Sequence, residues 1–177
     1  MDEATLTDIP TLRERARKNL DEGAVTENYA ADRGTVLRLL NEALATEIVC
    51  TLRYRRHFFM ASGVNSESVK AEFKEHSDEE LRHVDLIAER IVQLGGEPDF
   101  NPAGITSRSH AEYVQGGSLE DMIRENLVAE RIAIDSYREM IQYLGDKDPT
   151  SRRLMEQILA VEEEHAEDLS SLLGPKS

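Results

Sequence analysis

Apolar residues recur at helical spacing over most of the chain, and the interruptions divide it into long segments. Leu37, Leu40, Leu44, Ile48 and Leu52 predict a first long helix from about Arg33 to Ala61. Ser62-Gly63-Val64-Asn65 breaks it, and a second runs from about Ser66 to Leu94, stopped by Gly95-Gly96 with Pro98 beyond. A third starts at Ser118, whose hydroxyl suits an N-cap, with Asp121 placing a carboxylate in the first turn. It ends near Gly145. Asp148-Pro149 opens a fourth with proline in the first turn, and Gly174-Pro175 closes it. Upstream, residues 1–32 read as an N-terminal extension with a short amphipathic helix from Leu12 to about Leu20. The Gly-, Pro-, Asn- and Ser-punctuated stretch 95–117 has room for a short helix around Ser109–Val114.

The connection lengths carry the topology. Short links make the first and second helices an antiparallel hairpin, and the third and fourth another. The middle link of roughly 20 residues is far longer than a tight turn needs, and is long enough to run the length of the bundle. The second and third helices are then parallel. The expected fold is all-α, a four-helix bundle over residues 33–177 with one long crossover, preceded by the short helical extension.

Composition agrees and excludes several functions. The 177 residues suffice for one buried core; 32% are charged, only 5% are aromatic and none is Trp, a mixture suited to amphipathic helices. No apolar run approaches the ~18–20 residues that span a bilayer. Met1-Asp2-Glu3 lacks the basic, then apolar, start of a signal peptide, so a cytoplasmic location is expected. The single cysteine, Cys50, excludes an internal disulfide and any Cys-rich zinc or iron–sulfur site made by one chain. A net charge of −14 argues against DNA binding and favours attraction of cations.

The candidate chemistry lies in an internal repeat. Glu42-Ala-Leu-Ala-Thr-Glu47 followed by Tyr54-Arg55 recurs 83 positions later as Glu125-Asn-Leu-Val-Ala-Glu130 followed by Tyr137-Arg138. Glu80-Leu-Arg-His83 recurs 82 positions later as Glu162-Glu-Glu-His165. Each hairpin therefore supplies one lone Glu and one Glu-x-x-His, in the same order. Glu47 lies about 14 residues, roughly 21 Å, from the end of its helix, and Glu80 about as far from the start of the next. Glu130 and Glu162 match in the same way, and Glu and His three apart share a helix face. Any one of these residues is more simply a solvated surface charge. Two Glu-x-x-His motifs and two partner glutamates at one depth converge instead on a buried two-metal site. Carboxylate and imidazole ligands without thiolate suit iron or manganese, and four carboxylates balance two divalent ions.

Tyr54 and Tyr137 each follow their Glu by seven and face the same side two turns on, either as core packing or as a hydrogen-bond or electron donor to the site. Cys50 reads as a small buried hydrophobe. His76, one turn before Glu80, reads as a partly exposed structural histidine rather than a metal relay. His57 lies on another stripe and His110 in the long link, and neither receives a role. Arg13, Arg15, Arg17 and Lys18 are interleaved with acids and read as a solvated helix or subunit contact.

The set from Glu47 to His165 resembles the ferritin-like superfamily over about residues 33–173, in particular bacterioferritin and the Dps-like ferritins. The resemblance implies a ferroxidase with two iron ions per subunit (manganese the alternative metal), in which O2 or H2O2 oxidises Fe(II) and ferric product is stored in a hollow homo-oligomer. It implies Glu80 and Glu162 as bridging ligands, with Glu47, His83, Glu130 and His165 as terminal ones. Leu81 stands where bacterioferritin has its haem-ligating Met, so haem is not expected. All six ligands come from one chain, unlike the intersubunit site of ordinary DNA-protecting mini-ferritins, and the chain leaves no room for a fifth bundle helix. A 12-subunit cage is therefore expected, with a rubrerythrin-like or manganese-catalase-like enzyme and a DNA-protecting structural cage as the competing readings.

Overall fold

Each long helix that begins after a described cap does so where a short polar side chain meets its free first-turn amides. Asp32 accepts from Thr35 N at 2.8 Å, Ser118 from Asp121 N at 3.1 Å and Asp148 from Ser151 N at 2.9 Å. Such caps contribute about 1 kcal/mol each. The computed structural model describes residues 6–64 and 66–174, and these hold six α-helices and no strand. They are α1 (Ile9–Arg15), α2 (Arg33–Met60), α3 (Ser66–Gln93), α4 (Pro102–Arg108), α5 (Leu119–Leu144) and α6 (Pro149–Leu173), with a 3-10 turn at Leu20–Glu22. Asn65 and Pro175, read above as helix stops, and the Met1-Asp2-Glu3 start lie outside the described residues. No described helix is long and apolar enough to cross a membrane.

Helix α3 ends on a glycine pair for a definite reason. Gly95 N bonds Val92 O at 2.8 Å and Gly96 N bonds Ile91 O at 2.9 Å, the double closure of a Schellman motif. It requires a left-handed residue, supplied by Gly95 at φ +71°, where a Cβ would also lie 2.2 Å from Arg33 Nη2.

Two expected short helices are displaced. The N-terminal one is Ile9–Arg15 rather than Leu12–Leu20, because Asp8 caps it through Thr11 N (3.0 Å) and Pro10 sits inside its first turn. The crossover helix is Pro102–Arg108 rather than Ser109–Val114, because Asn101-Pro102 provides cap and first turn. The 109–114 stretch is instead non-helical, with Ala111 buried against Cys50 and Ala129. One expected core residue also differs: Leu40 and Leu44 are buried, but Leu52 is 55% exposed. A stripe read in steps of four drifts about 40° per step around a helix of 3.6 residues per turn, and by Leu52 it has left the core.

The long link does run the length of the bundle, along α2. Asn41 Oδ1 accepts from Asp99 N (2.8 Å), Thr46 Oγ1 from His110 N (2.9 Å), and Arg53 and Arg56 donate to Glu112 O (2.9 Å) and Gln115 O (3.1 Å). Residue numbers rise together on both sides, so the link travels parallel to α2 and delivers α5 to the far end. His57 joins this clamp, with Nε2 3.1 Å from both Val114 O and Gln115 O and Nδ1 3.2 Å from Asn126 Oδ1. The N-terminal segment packs Val25 and Tyr29 against the bundle core, with Tyr29 donating to Asp148 at 2.8 Å.

The core has three levels. Leu40, Leu44, Ile87, Ile91, Met140 and Ile158 belong to one apolar layer, and Val69, Phe73, Met122, Ile123 and Leu169 to another. Between them, in sequence on every long helix, lie the charged residues.

Candidate two-metal centre

All six candidate ligands are at most 5% exposed, and one chain brings them together. Glu47 comes from α2, Glu80 and His83 from α3, Glu130 from α5, and Glu162 and His165 from α6. They form two sets, Glu47–Glu80–His83–Glu162 and Glu80–Glu130–Glu162–His165, with the donor atoms of each within 4.8 Å of one another. Glu80 and Glu162 belong to both sets, as two bridging carboxylates would.

The sets are not self-satisfied. Glu80 Oε1, Glu130 Oε2, Glu162 Oε2 and His165 Nδ1 are buried with no hydrogen-bond partner. Four carboxylates crowded together repel one another, and orphaned buried polar atoms are strongly disfavoured unless something else binds them. Burial, then the charges of neighbouring glutamates, push Glu80 and Glu130 well above the usual carboxylate range, and Glu162 rises for the same reasons. Glu47 moves the other way, because hydrogen bonds with Glu80, His83 and Tyr137 and the His83 charge together outweigh its burial. Burial disfavours the His83 cation, but Nδ1 lies 3.1 Å from Glu47 Oε2 and 3.0 Å from Glu162 Oε1, which raises its pKa to about 10. In this state one proton stands in for cationic charge at the first set.

The two tyrosines close the band by a crossed arrangement. Tyr54 donates to Glu130 and Tyr137 donates to Glu47, so each bonds the lone Glu of the opposite hairpin. The reason is geometric. Helices α2 and α5 are antiparallel, so each Tyr, two turns past its own Glu, reaches the lone Glu of the opposite hairpin. Both are fully buried, Tyr54 in one apolar layer and Tyr137 in the other.

Glu79 joins the centre without having been singled out in the sequence. His165 Nε2 lies 2.8 Å from Glu79 Oε2, which orients the ring so that Nδ1 faces the carboxylates. His76 is a correction: it is 2% exposed, not partly exposed, and stacks on His165 with centroids 3.9 Å apart. Burial and then the His165 charge lower its pKa to about 3. Cys50 is buried as expected, and burial pushes its thiol well up. Arg15 and Lys18 pair with Glu27, a solvated contact. His110 lies in the link with Nε2 3.8 Å from Glu42 Oε2.

A four-helix bundle with one crossover and paired Glu and Glu-x-x-His ligands is a ferritin-like architecture, and the chain belongs to that family: residues 37–175 match the ferritin-like domain. Bacterioferritin of Mycobacterium bovis is 31% identical over 139 residues, covering 78% of this chain and 83% of that one. The DNA protection during starvation protein of Pyrococcus furiosus is 30% identical over 158 residues, covering 86% and 84%. Among solved structures, the bacterioferritin-related dodecameric thioferritin of Bacteroides fragilis superposes with a TM-score of 0.79 at 32% identity, over 81% of this chain and 87% of that one. A ferritin-like diiron-carboxylate protein of Bacillus anthracis superposes with a TM-score of 0.72 at 25% identity, over 81% and 98%.

Proposed function

We propose that this chain is a ferroxidase that oxidises Fe(II) with O2 or H2O2 and sequesters the ferric product inside a homo-oligomeric cage. One observation carries the reading: two buried ligand sets within a single chain share Glu80 and Glu162 and leave buried carboxylate and imidazole atoms without partners. Oxygen and nitrogen donors suit iron as substrate, with manganese the alternative ion, and two divalent ions would balance the four carboxylates. Glu47 and His83 would hold one ion, Glu130 and His165 the other, and Glu80 and Glu162 both. A pair of Fe(II) ions yields two electrons, enough to reduce O2 to the peroxide level or H2O2 to water. The protein's own part is to fix the ligands, to orient Glu47 and Glu130 through Tyr137 and Tyr54, and to release the protons held on the carboxylates and His83 as iron enters. Relatives named for bacterioferritin and for diiron-carboxylate proteins support the same reading.

The test is Fe(II) oxidation by rapid-mixing absorbance. Glu47→Ala and Glu130→Ala are each expected to abolish the fast phase while the helical circular dichroism is unchanged. Full activity in both would overturn the site assignment.

For the assembly we propose twelve copies, supported by the dodecameric Bacteroides fragilis neighbour and by exposed apolar side chains on the bundle. Leu52 and Phe59 are 55% and 72% exposed and lie seven apart on one stripe of α2. Native mass spectrometry is expected to give about 240 kDa, twelve chains of 20.0 kDa. Leu52→Glu with Phe59→Glu is expected to reduce this to smaller species, because charges placed on an apolar contact lose its burial and repel across it. A monomeric wild type would remove the cage from the proposal. The DNA-protecting reading is disfavoured by the net charge of −14.

A further inference from the structure

Outside the two ligand sets, a third group of potential ligands lies on the neighbouring turns of α3 and α6. Glu72 and His76 are one turn apart on α3, and Asp168 lies three residues past His165 on α6. His76 Nε2 is 3.7 Å from Glu72 Oε2 and 3.7 Å from Asp168 Oδ2. The imidazole is buried at 2% side-chain exposure, whereas the carboxylates are 38% and 48% exposed. The group is therefore open to solvent on its acidic side and anchored in the core on the other.

The hydrogen bonds of the ring decide what faces that group. Tyr54 gives its hydroxyl proton to Glu130, which leaves the tyrosine oxygen as the acceptor toward His76 Nδ1, 3.3 Å away. The His76 proton then sits on Nδ1, and Nε2 presents a lone pair to two carboxylate oxygens. Neither carboxylate is within hydrogen-bond distance of the ring nitrogen, so three acceptor atoms face one another across a gap that a cation would fill. The separations suit one. Bonds of about 2.1 Å at 90–110° place two ligand atoms roughly 3.0–3.4 Å apart. Closing from 3.7 Å needs only a small rotation of two half-exposed side chains.

We infer that Glu72, His76 and Asp168 form a third cation site in each chain, for a divalent first-row metal ion, distinct from the two-metal centre. Its ligands, one imidazole nitrogen and two carboxylates with the remaining positions open to water, suit Fe(II), Mn(II), Co(II) or Zn(II) rather than the all-oxygen cage favoured by Ca(II). The buried imidazole fixes the position, and the exposed carboxylates admit the ion. The site communicates with the centre through two direct contacts. His76 stacks on His165, and the Tyr54 hydroxyl joins His76 to Glu130.

Crystals of the full chain soaked in Co(II), a probe that needs no oxidation to be seen, test this by anomalous diffraction at the cobalt edge. A peak is expected bonded to His76 Nε2, between Glu72 and Asp168. In Glu72→Gln with Asp168→Asn, which keeps the shapes of both side chains, this peak is expected to vanish while density among Glu47, Glu80, His83, Glu130, Glu162 and His165 remains. No peak at His76 in the wild type, or one that persists in the double variant, would overturn the site. Absence of density among the six central residues would count against the two-metal reading alone, since the His76 peak is judged separately.

Discussion

Two buried polar clusters sit on the same helices of this bundle and differ in whether the protein satisfies them. At one end, Arg90 of α3 grips Asp148 at the start of α6 with Nη2 2.9 and 3.1 Å from its two oxygens and donates from Nε to Ser151 Oγ at 2.8 Å. Asp148 also accepts from Ser151 N at 2.9 Å, from Ser151 Oγ at 2.7 Å and from Tyr29 at 2.8 Å. Charge is balanced and the carboxylate oxygens are engaged. In the middle of the bundle, four carboxylates face two imidazoles with several atoms unpartnered. The first cluster ties an N-terminal segment, a helix start and a helix end together. The second is held in place by its surroundings and leaves several carboxylate and imidazole atoms open. A buried cluster that completes itself ties the fold together, and one that does not is the candidate for binding.

The largest effect should come from breaking the satisfied cluster. Asp148→Ala strands Arg90 without its carboxylate and removes the cap of α6, and is expected to cost about 3–5 kcal/mol in urea unfolding. Burial acts to raise the Asp148 carboxyl, but the Ser151 amide and hydroxyl, Tyr29 and Arg90 outweigh it and hold the group below the usual range. Its contribution is therefore complete above the ordinary carboxylate pKa and is lost as pH falls through the lowered folded value. The variant should accordingly approach the wild type in stability under strongly acidic conditions. An Asp148→Ala protein as stable as the wild type at pH 7 would show that the cluster is not structural.

The unsatisfied cluster should respond with the opposite sign. Glu80→Gln replaces a carboxyl whose ionised form burial and its neighbours' charges disfavour with a neutral amide, and the metal-free protein is expected to gain about 1–2 kcal/mol as pH rises through the range where that carboxyl would ionise. Glu80, Glu130 and Glu162 are raised, so each favours the metal-free fold below its unfolded pKa, and that contribution is lost as pH rises toward the folded value. His83 adds the same trend from near 6.5 up to its folded value of about 10. The metal-free wild type should thus weaken from mildly acidic to alkaline pH. Saturating Co(II) at about 100 times its dissociation constant should restore about 2.7 kcal/mol at pH 7, and less at pH 5, where protons compete for the same oxygens. Thermal unfolding with and without Co(II) across this pH range measures both trends. A Glu80→Gln protein less stable than the metal-free wild type would mean that the band is internally satisfied after all.

The contrast also explains what was legible in the sequence. The four bundle helices, the starts of the third and fourth and the crossover were readable because each depends on local signals: helical spacing, Ser118, Asp148-Pro149 and Gly95-Gly96. The six central residues were readable because duplication wrote them twice. His76 and the Arg53–His57–Asn126 clamp were not. Arg53 is fully buried and donates to Asn126 at 2.9 Å, yet on a helical wheel it is simply an arginine near other charges. Burial of such residues comes from the crossover lying over α2, which no periodicity within α2 announces. The same covering makes α2 polar at Thr46, Arg53 and His57 on faces that would otherwise be solvated. Leu52 shows the converse: its spacing pointed inward, but accumulated rotation carried it to the surface.

The smallest effect tests the crossed tyrosines, where spacing identified the residues and antiparallel packing assigned their partners. Tyr54→Phe and Tyr137→Phe each remove one O–H donor from a buried carboxylate, and each should cost about 1 kcal/mol of metal-free stability. If their task is to aim Glu130 and Glu47, each should also weaken Co(II) binding at the centre by roughly tenfold, the usual scale for a partner that orients a ligand. Isothermal titration of the two variants separates this from simple core packing, because replacing Tyr by Phe keeps the ring in its apolar layer and should leave affinity untouched if packing is all the ring does. The two positions need not respond alike in kinetics. Tyr54 also faces His76, whereas Tyr137 meets Glu47. A slower Fe(II) oxidation in Tyr54→Phe than in Tyr137→Phe, at matched affinity, is therefore expected if Tyr54 also serves as an electron donor, and unchanged oxidation in Tyr54→Phe would remove that role.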